Sequence, residues 1–401
     1  MNYPLDGIVV IDLTQIYNGP YATFLMATAG AVVIKVEPPG GESLRRRGVV
    51  GGAALPFAML NGCKQSISLD LKTSEGKAAL IELVRGADVL AENFTPGAMD
   101  RLGLGHETLK AVNPRLIYAS SSGFGSTGPY QHYPAMDLTV QAMAGVMSIT
   151  GFADRPPVKA GPALCDFFAG VHLYGAITTA LFERERTGVA RKVEVSMQDA
   201  VYASLSSSLG LAWTQGETDV PARTGNRHAG LAEAPYNVYP AADGYVAIIC
   251  TTDRHWRSLT EVMGRPGLAD DPNFCTLKSR VANIDAIDAA VSEWTAELTK
   301  ADIFRQLMAR HVPAAPVREL KEVMHDENMH ARGTLQWQDH PELGHIIVQH
   351  SPMRFADVPP RTLEPSHRLG EDTETVLRNR TTLSDAAVRE VLKATESRNR
   401  K

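Results

Sequence analysis

An acidic residue, Asp166, stands between a small apolar run and an aromatic pair in the stretch GPALCDFFAG at residues 161–170. A charge in such surroundings is costly to bury unless something satisfies it or uses it. The apolar period that follows predicts a helix over 167–186, which ends at Thr187-Gly188. Asp166 therefore has two compatible interpretations: an N-cap of that helix, or an ionised carboxylate that the positive helix end presents as a nucleophile.

The sequence evidence for a nucleophile, metal ligand or anion site at other side chains is weaker. Cys165 could be a thiolate nucleophile, but a cysteine in an apolar run is more typical of a core. His325 and His330 are five residues apart and no HExxH motif occurs, which argues against a metal site. The basic run 45–47 follows EPPGGES, and it predicts either an anion site or a solvated loop.

The composition of the chain limits its class. A formal net charge of −5 over 401 residues gives no reason to expect nucleic acid as a partner. The four cysteines are far apart, which favours reduced thiols and a cytoplasmic location. The start has no signal-peptide pattern, and the absence of a long apolar run predicts no membrane partner.

Short β-branched runs alternate with helical patterns through the first half of the chain. This alternation predicts a Rossmann-like, doubly wound α/β sheet, with ligands outside the carboxyl ends of its strands. The first unit lacks G-x-G-x-x-G, so no dinucleotide site is expected. The predicted strands are 8–13, 32–37, 66–70, 88–93, 116–121 and 192–197.

A Gly-, Pro- and charge-rich stretch suggests a domain boundary after this region. We predict a large domain over 1–200 and a linker over 201–225. A smaller α+β domain follows over 226–325, where Asp243-Gly244 indicates a hairpin. The final segment, 326–401, is expected to return to the large domain.

Several ordered motifs together resemble the class III CoA-transferases, the formyl-CoA transferase and carnitine CoA-transferase family. They run from residue 5 to about 200 and include VVIKVEPPGGES, KQSISLDLKTSEGK, LAENFTPGAMDRLGLG, LCDFFAG and VEVSMQDA. The resemblance implies a homodimer of interlocked, ring-shaped subunits. It also implies acyl-CoA and carboxylic acid substrates, with succinyl-CoA or a similar donor, and no metal or permanently bound cofactor.

By this resemblance Asp166 is the nucleophile, and it forms an aspartyl anhydride and then an aspartyl-CoA thioester. The resemblance assigns Asp137 either to tuning or proton handling beside the nucleophile, while the local pattern equally predicts a helix N-cap. The CoA contacts that the family implies fall on Lys72, Asn93, Phe94 and Arg101.

The chain also departs from the formyl-CoA transferase pattern. Tyr17 stands where that enzyme has a Gln, and GNRHAGLAEAPYNVY occupies the region of its glycine-rich loop. These differences argue against formate or oxalate as the substrate. The side-chain types instead suit a dicarboxylic acid, bound by Gln15, Tyr17, Arg45, Arg47 and Arg227.

Two other functions stay open. The same family fold includes α-methylacyl-CoA racemases, but these use a His where this chain has Met136, and a thioether cannot accept a proton. A noncatalytic CoA-binding protein is the third hypothesis, and the presence of Asp166 counts against it.

Overall fold

A computed structural model describes residues 3–47, 54–215 and 223–399. By contacts between residues the chain divides into two compact units. Unit 1 comprises 1–140, 162–201 and 326–401, and unit 2 comprises 141–161 and 202–325.

The strands are β1 Val9–Asp12, β2 Val32–Glu37, β3 Gln65–Ser68, β4 Val89–Glu92, β5 Ile117–Ser122, β6 Lys192–Ser196, β7 Tyr236–Ala241, β8 Gly244–Ile249, β9 Ala314–Pro316, β10 Leu335–His340 and β11 Gly344–Gln349. The helices are α1 Asn18–Thr28, α2 Ser43–Arg46, α3 Ala54–Asn61, α4 Ser74–Arg85, α5 Ala98–Arg101, α6 His106–Val112, α7 Asp137–Met143, α8 Val146–Ile149, α9 Leu164–Thr187, α10 Met197–Tyr202, α11 Ser206–Gln215, α12 Asp253–Val262, α13 Leu277–Ala282, α14 Ile284–Thr295, α15 Lys300–Met308, α16 Leu320–Met324, α17 Glu327–Ala331, α18 Thr373–Arg380 and α19 Asp385–Asn399. Short 3₁₀ turns lie at Ala203–Leu205 and Pro266–Ala269.

Unit 1 is built on a six-stranded parallel sheet in the order β3-β2-β1-β4-β5-β6. This is the strand order of a doubly wound α/β fold, and it confirms the predicted parallel sheet. The order reverses between β1 and β4, so the loops that follow these two strands lie at the switch point where ligands bind in such folds.

Helix α9 packs on this sheet with one face. Its buried face joins β1, β2, β4 and β5 in one core through residues such as Leu173 and Ile177. Gly188 ends it in a left-handed conformation with φ 74°, as the Thr187-Gly188 signal predicted. Among the described residues it is the one helix long and apolar enough to cross a membrane, but core helices also meet those two criteria.

The C-terminal segment packs on the other face of the sheet. The Asp372 carboxylate accepts a hydrogen bond from the Ser66 N–H on β3 at 2.7 Å, and the Asp372 N–H donates to the Ser66 carbonyl. Val376, Leu377 and Val388 complete the core between the sheet and α4. The last segment therefore belongs to unit 1.

Unit 2 has its own core around a three-stranded antiparallel sheet, β7-β8-β9, covered by α12, α14 and α15. Residues 141–161 belong to unit 2, although the sequence placed them in the large domain. Their backbone explains the difference, since Arg223 donates hydrogen bonds to the carbonyls of Phe152 and Arg155. The stretch predicted as a linker, 201–225, contains α11, and its residues 216–222 lie outside the described part of the chain.

Candidate active site

Asp166 lies in the first turn of α9, on the face that packs against the rest of unit 1, and is only 8% exposed. The helix begins at Leu164 and its N-cap is Ala163, which offers no side-chain hydrogen bond. The prediction that Asp166 is the N-cap is therefore wrong by three positions. The apolar residues before it extend the helix by one turn and carry Asp166 inside that turn.

Asp137, at the start of α7, performs the capping that Ala163 cannot. Its Oδ1 atom accepts a hydrogen bond from the Cys165 N–H at 2.9 Å and a longer one from the Asp166 N–H at 3.4 Å. The carboxylate of Asp137 thus satisfies first-turn donors of α9 from a different helix. The structure brings together the two acidic residues that the sequence predicted as a pair.

This arrangement sets the charge of Asp166. Burial, reinforced by the negative charge of Asp137, raises the pKa of Asp166 to about 7. The expectation of a carboxylate held fully ionised by the helix end is therefore corrected. Because the pKa of Asp166 is about 7, its carboxyl group is only partly ionised near neutral pH.

The neighbouring thiol is unsuited to nucleophilic attack. Cys165 is buried, and its burial and the two carboxylates raise the pKa of its thiol to about 12. A thiol with this pKa stays protonated at neutral pH, and the protonated form is a poor nucleophile. The structure thus agrees with the interpretation of Cys165 as a core residue.

The turn between β1 and α1 packs against the same part of α9. A Cβ atom added to Gly170, one helical turn after Asp166, would lie 2.6 Å from the carbonyl oxygen of Asn18. Only glycine permits this close approach. Tyr17 stacks on Phe167 with ring centroids 5.9 Å apart, so the predicted substrate residue Tyr17 lies beside the first turn of α9.

Asn93 and Gln15, predicted to contact CoA and substrate respectively, are tied to each other. The Asn93 amide donates to the Gln15 carbonyl at 2.8 Å and accepts from the Gln15 N–H at 2.8 Å. The side chain of Asn93 thus links the loop after β4 to the loop after β1. Its direct observed role is to hold the backbone of Gln15.

Two cavities lie at the carboxyl edge of the sheet, with Phe94 in the wall of both. One of about 220 Å³ is lined by Gln15, Phe94 and Lys72 together with apolar residues such as Leu71 and Leu102. Among the described residues Lys72 is the one cationic residue in this lining, which also includes the acidic residues Glu37, Glu42 and Asp70. The apolar part of the wall suits the flat base of a nucleotide.

The second cavity, of about 390 Å³, is lined by Phe94, Arg101, Glu92 and Tyr118, and it extends over β5 and β6. Burial raises the pKa of Glu92 to about 7, although its carboxylate accepts a hydrogen bond from the Phe94 N–H. The four residues predicted to bind CoA therefore lie around Phe94 at one edge of unit 1.

Two of the three arginines predicted to hold a second carboxylate, Arg45 and Arg227, form ion pairs with acidic residues of the protein. Arg45 forms a two-bond ion pair with the buried Glu37, at 2.8 and 3.0 Å, and its guanidinium lies 4.0 Å from the centroid of the Phe57 ring. Its role in binding substrate stays a prediction, and in this structure its guanidinium pairs with Glu37 of β2. Arg47, at the end of α2, is exposed.

Arg227 belongs to unit 2, where it pairs with two carboxylates. It contacts Asp285 at 2.6 Å and Asp288 at 2.7 Å. This pairing neutralises the guanidinium within its own unit. The structure therefore gives no support to the prediction that Arg227 binds substrate.

A cluster of buried charges behind the β1–α1 turn was not predicted from the sequence. Asp12, Lys35 and Lys64 stand within or beside strands that otherwise read as apolar, and all three are nearly inaccessible to solvent. The signal for them was the presence of a charge inside a buried strand pattern. Burial opposes ionisation of Asp12, but Lys64 and Lys35 outweigh it and lower its pKa to about 2.

No group of three His, Cys, Asp or Glu side chains that could hold a metal ion occurs among the described residues. His325 and His330 thus form no such group in the part of the chain that the structure covers.

Comparisons with known proteins cover nearly the whole chain. The model of CoA-transferase family III matches residues 5–373. An acetyl-CoA:oxalate CoA-transferase from Acetobacter aceti is 44% identical over 83% of this chain and 85% of that protein. A succinate–glutarate CoA-transferase from Agrobacterium fabrum is 37% identical over 96% of this chain and 97% of that protein. The crystal structure of a CAIB/BAIF family protein from Brucella suis matches with a TM-score of 0.82 and 35% identity, over 94% of this chain and 99% of that one.

Proposed function

This chain belongs to CoA-transferase family III, and from that premise we propose that Asp166 is the nucleophile that carries CoA from an acyl-CoA to a small carboxylic acid. The observation that supports this role is the Asp166 carboxyl group itself. It is buried in the first turn of α9 beside the Asp137 carboxylate, and its pKa of about 7 leaves both protonation states accessible at neutral pH.

The proposed reaction splits one difficult exchange into steps that keep the energy of the thioester. An Asp166 oxygen attacks the thioester carbonyl, the C–S bond breaks, and CoA thiolate leaves a mixed anhydride on Asp166. The thiolate then attacks the Asp166 carbonyl of the anhydride and expels the donor acid as its carboxylate. Asp166 is now an aspartyl-CoA thioester.

The second half of the reaction runs the same steps in reverse order, with the acceptor acid in place of the donor acid. The acceptor carboxylate attacks the carbonyl of the aspartyl thioester, the C–S bond breaks, and CoA thiolate leaves. A second mixed anhydride now joins Asp166 to the acceptor. The thiolate attacks the acyl carbon of the acceptor, and Asp166 leaves as a free carboxylate. Each bond broken is matched by one formed, and the enzyme returns to its starting charge.

The donor proposed from the sequence is succinyl-CoA or a similar thioester, and the acceptor is a dicarboxylic acid. The activities of the two relatives support this class, since oxalate, succinate and glutarate are all dicarboxylic acids. Oxalate is therefore included among the acids to be tested, although Tyr17, in place of a Gln, argued against it as a substrate. Arg45 and Arg227, which were predicted to hold the second carboxylate, each already pair with an acid of the protein.

A CoA-exchange screen tests the proposed function. Purified protein is incubated with acetyl-CoA or succinyl-CoA and a panel of mono- and dicarboxylic acids, and new thioesters are detected by mass spectrometry. We expect exchange with at least one dicarboxylic acid, and its loss in Asp166→Asn. Exchange that survives in Asp166→Asn would refute the nucleophile. Incorporation of solvent deuterium at the α-carbon of an acyl-CoA, without exchange, would indicate a racemase instead.

The family resemblance implies an interlocked homodimer, and the cysteine pattern favours a cytoplasmic location; both remain predictions. Exposed apolar side chains of α9 and its neighbourhood, among them Phe168, Val171 and Phe182, are compatible with a surface that a second copy covers. Size-exclusion chromatography with light scattering would measure the mass of the assembly.

A further inference from the structure

A buried ammonium group lies behind the β1–α1 turn. Lys64 Nζ contacts four oxygen atoms: the Asp12 carboxylate at 3.0 Å, the Pro20 carbonyl at 3.0 Å, the Thr23 hydroxyl at 2.8 Å and the Asn61 side chain at 3.0 Å. Its side chain is 1% exposed, and that of Asp12 is fully buried. Such a pair is a weak source of net stability, because desolvation of the two charges offsets their attraction.

Most of these contacts fall on one short segment. Asp12 also accepts hydrogen bonds from the backbone N–H and the hydroxyl of Thr14, and a second lysine, Lys35, donates to the Thr14 carbonyl at 2.9 Å. The buried charges of Asp12, Lys35 and Lys64 thus hold the β1–α1 turn at Thr14 and hold α1 at Pro20 and Thr23. Tyr17 and Asn18 lie between these two fixed places.

This segment lies against α9 on its other side. The Asn18 carbonyl packs onto Gly170, and the Tyr17 ring stacks on Phe167. Residues four apart share a helix face, so Gly170 and Asp166 lie on the same side of α9. A shift of the β1–α1 turn would therefore move the surface beside the Asp166 carboxyl.

We propose that Lys64 is a positioning residue for CoA transfer, which through Asp12 and Thr23 holds the Tyr17–Asn18 backbone against the first two turns of α9. The inference rests on the proposed function of Asp166. Lys64 touches no reacting atom in this account. Its contribution is the geometry of the wall beside the nucleophile, where a displacement of about 1 Å can cost about a hundredfold in rate.

A mild substitution with a matched control tests this role. Thr23→Val removes a hydroxyl that accepts from Lys64 and donates to Asp12 at 2.7 Å, at a position fully buried in α1. Thr28→Val removes a buried hydroxyl from the same helix, but that hydroxyl bonds only to the helix carbonyls of Phe24 and Leu25. Each variant replaces one hydroxyl group with a methyl group of similar size.

The readout is steady-state CoA exchange of the purified full-length variants, measured where circular dichroism shows each to be fully folded. We expect kcat of Thr23→Val to fall about tenfold or more, with KM for both substrates within about twofold of wild type. Thr28→Val should keep kcat within about twofold. Equal kcat values for the two variants would overturn the proposal, as would a rise in KM with kcat unchanged.

Substitutions of Lys64 itself, alone and together with Asp12, test its positioning role directly. Lys64→Met alone leaves Asp12 buried without its main partner, whereas Asp12→Asn combined with Lys64→Met removes both charges of the pair. We expect the double variant to melt higher than Lys64→Met and to keep a reduced kcat. A folded double variant with wild-type kcat would overturn the positioning role. A wild-type protein without exchange, or an Asp166→Asn variant that retains it, would refute the proposed function. A defect of the proposal for Lys64 alone would leave exchange in the wild type and its loss in Asp166→Asn as expected.

Discussion

Two aspartates of unit 1, Asp12 at the end of β1 and Asp166 at the start of α9, share burial and differ in their neighbours. Asp12 has Lys64 within 3.0 Å and Lys35 close by, and its pKa falls to about 2. At Asp166 burial raises the pKa to about 7, and the like charge of Asp137 adds to this shift. Burial favours the neutral form of both aspartates, but only Asp12 has cations beside it that reverse the direction of the shift.

The comparison separates a structural carboxylate from a reactive one. A carboxylate with a pKa near 2, surrounded by donors, is a weak nucleophile that stays in its ion pair. A carboxyl group with a pKa near 7 has no such partner to lose when it attacks a carbonyl. Pairs of titratable groups whose surroundings push their pKa values apart are typical of active sites.

The largest expected effect on activity is that of Asp166→Asn. An amide at this position cannot attack a thioester, so we expect the rate of CoA exchange to fall about a thousandfold or more. Asp12→Asn should retain more activity per folded molecule than Asp166→Asn. Exchange rates normalised to the folded fraction measure the difference. Comparable rates in the two variants would remove the distinction between the two aspartates.

The same pair of substitutions should change stability in opposite directions. Asp12→Asn leaves Lys64 as a buried charge with a weakened partner, and we expect the free energy of unfolding to fall by about 3–5 kcal/mol. For Asp166 the folded state binds the proton more tightly than the unfolded state, whose pKa is near 3.8. The ionised form therefore costs stability as pH rises from about 4 to 7, and the full cost is present above pH 7.

Asp166→Asn removes this cost, so we expect it to raise the free energy of unfolding at pH 8 by up to about 4 kcal/mol, at ~1.4 kcal/mol per pKa unit. At pH 4 its stability should match that of wild type. Chemical denaturation at the two pH values measures the change. An equal effect of Asp166→Asn at pH 4 and pH 8 would contradict the raised pKa.

The pH dependence of catalysis should show an acid limb near pH 7. Attack needs the ionised form of Asp166, so kcat/KM should fall about tenfold per pH unit below the pKa of the free enzyme. Asp137→Asn keeps an oxygen that can cap α9 and removes the like charge, so it should move the limb toward lower pH by about one unit. A limb that stays in place would show that burial alone raises the pKa of Asp166.

The smallest effect is expected at the neighbouring thiol. Cys165→Ala removes a protonated, buried sulfur, and the exchange rate should stay within about twofold of wild type. Some loss of thermal stability is expected from the cavity that the smaller side chain leaves. A loss of activity comparable to that of Asp166→Asn would move the nucleophile to Cys165.

The fold was predictable because its signals are local. Each of the six parallel strands overlaps one of the six strands predicted from short β-branched runs, and Gly188 ends α9 at the predicted position. The start of α9 was misplaced because the capping group, Asp137, comes from a segment 28 residues earlier. A cap supplied from another helix leaves no pattern next to the helix that it caps.

The sequence identified the acidic residues of the candidate site better than it predicted their interactions. Asp166 and Asp137 were identified as a pair, but their contact, and so the pKa of Asp166, depends on three-dimensional proximity. Arg45 and Arg227 were predicted to bind substrate, and the sequence did not show that Glu37, Asp285 and Asp288 lie beside them. Residue type alone does not show whether a guanidinium is already paired.

The most direct test of the account is the chemical identity of Asp166 during turnover. Protein incubated with acyl-CoA and hydroxylamine is digested, and the peptide that contains Cys165 and Asp166 is sequenced by mass spectrometry. The account predicts a hydroxamate on Asp166 that requires acyl-CoA and is absent from Asp166→Asn. An unmodified Asp166 in a sample that has lost activity through modification elsewhere, or an acyl group on Cys165, would contradict it.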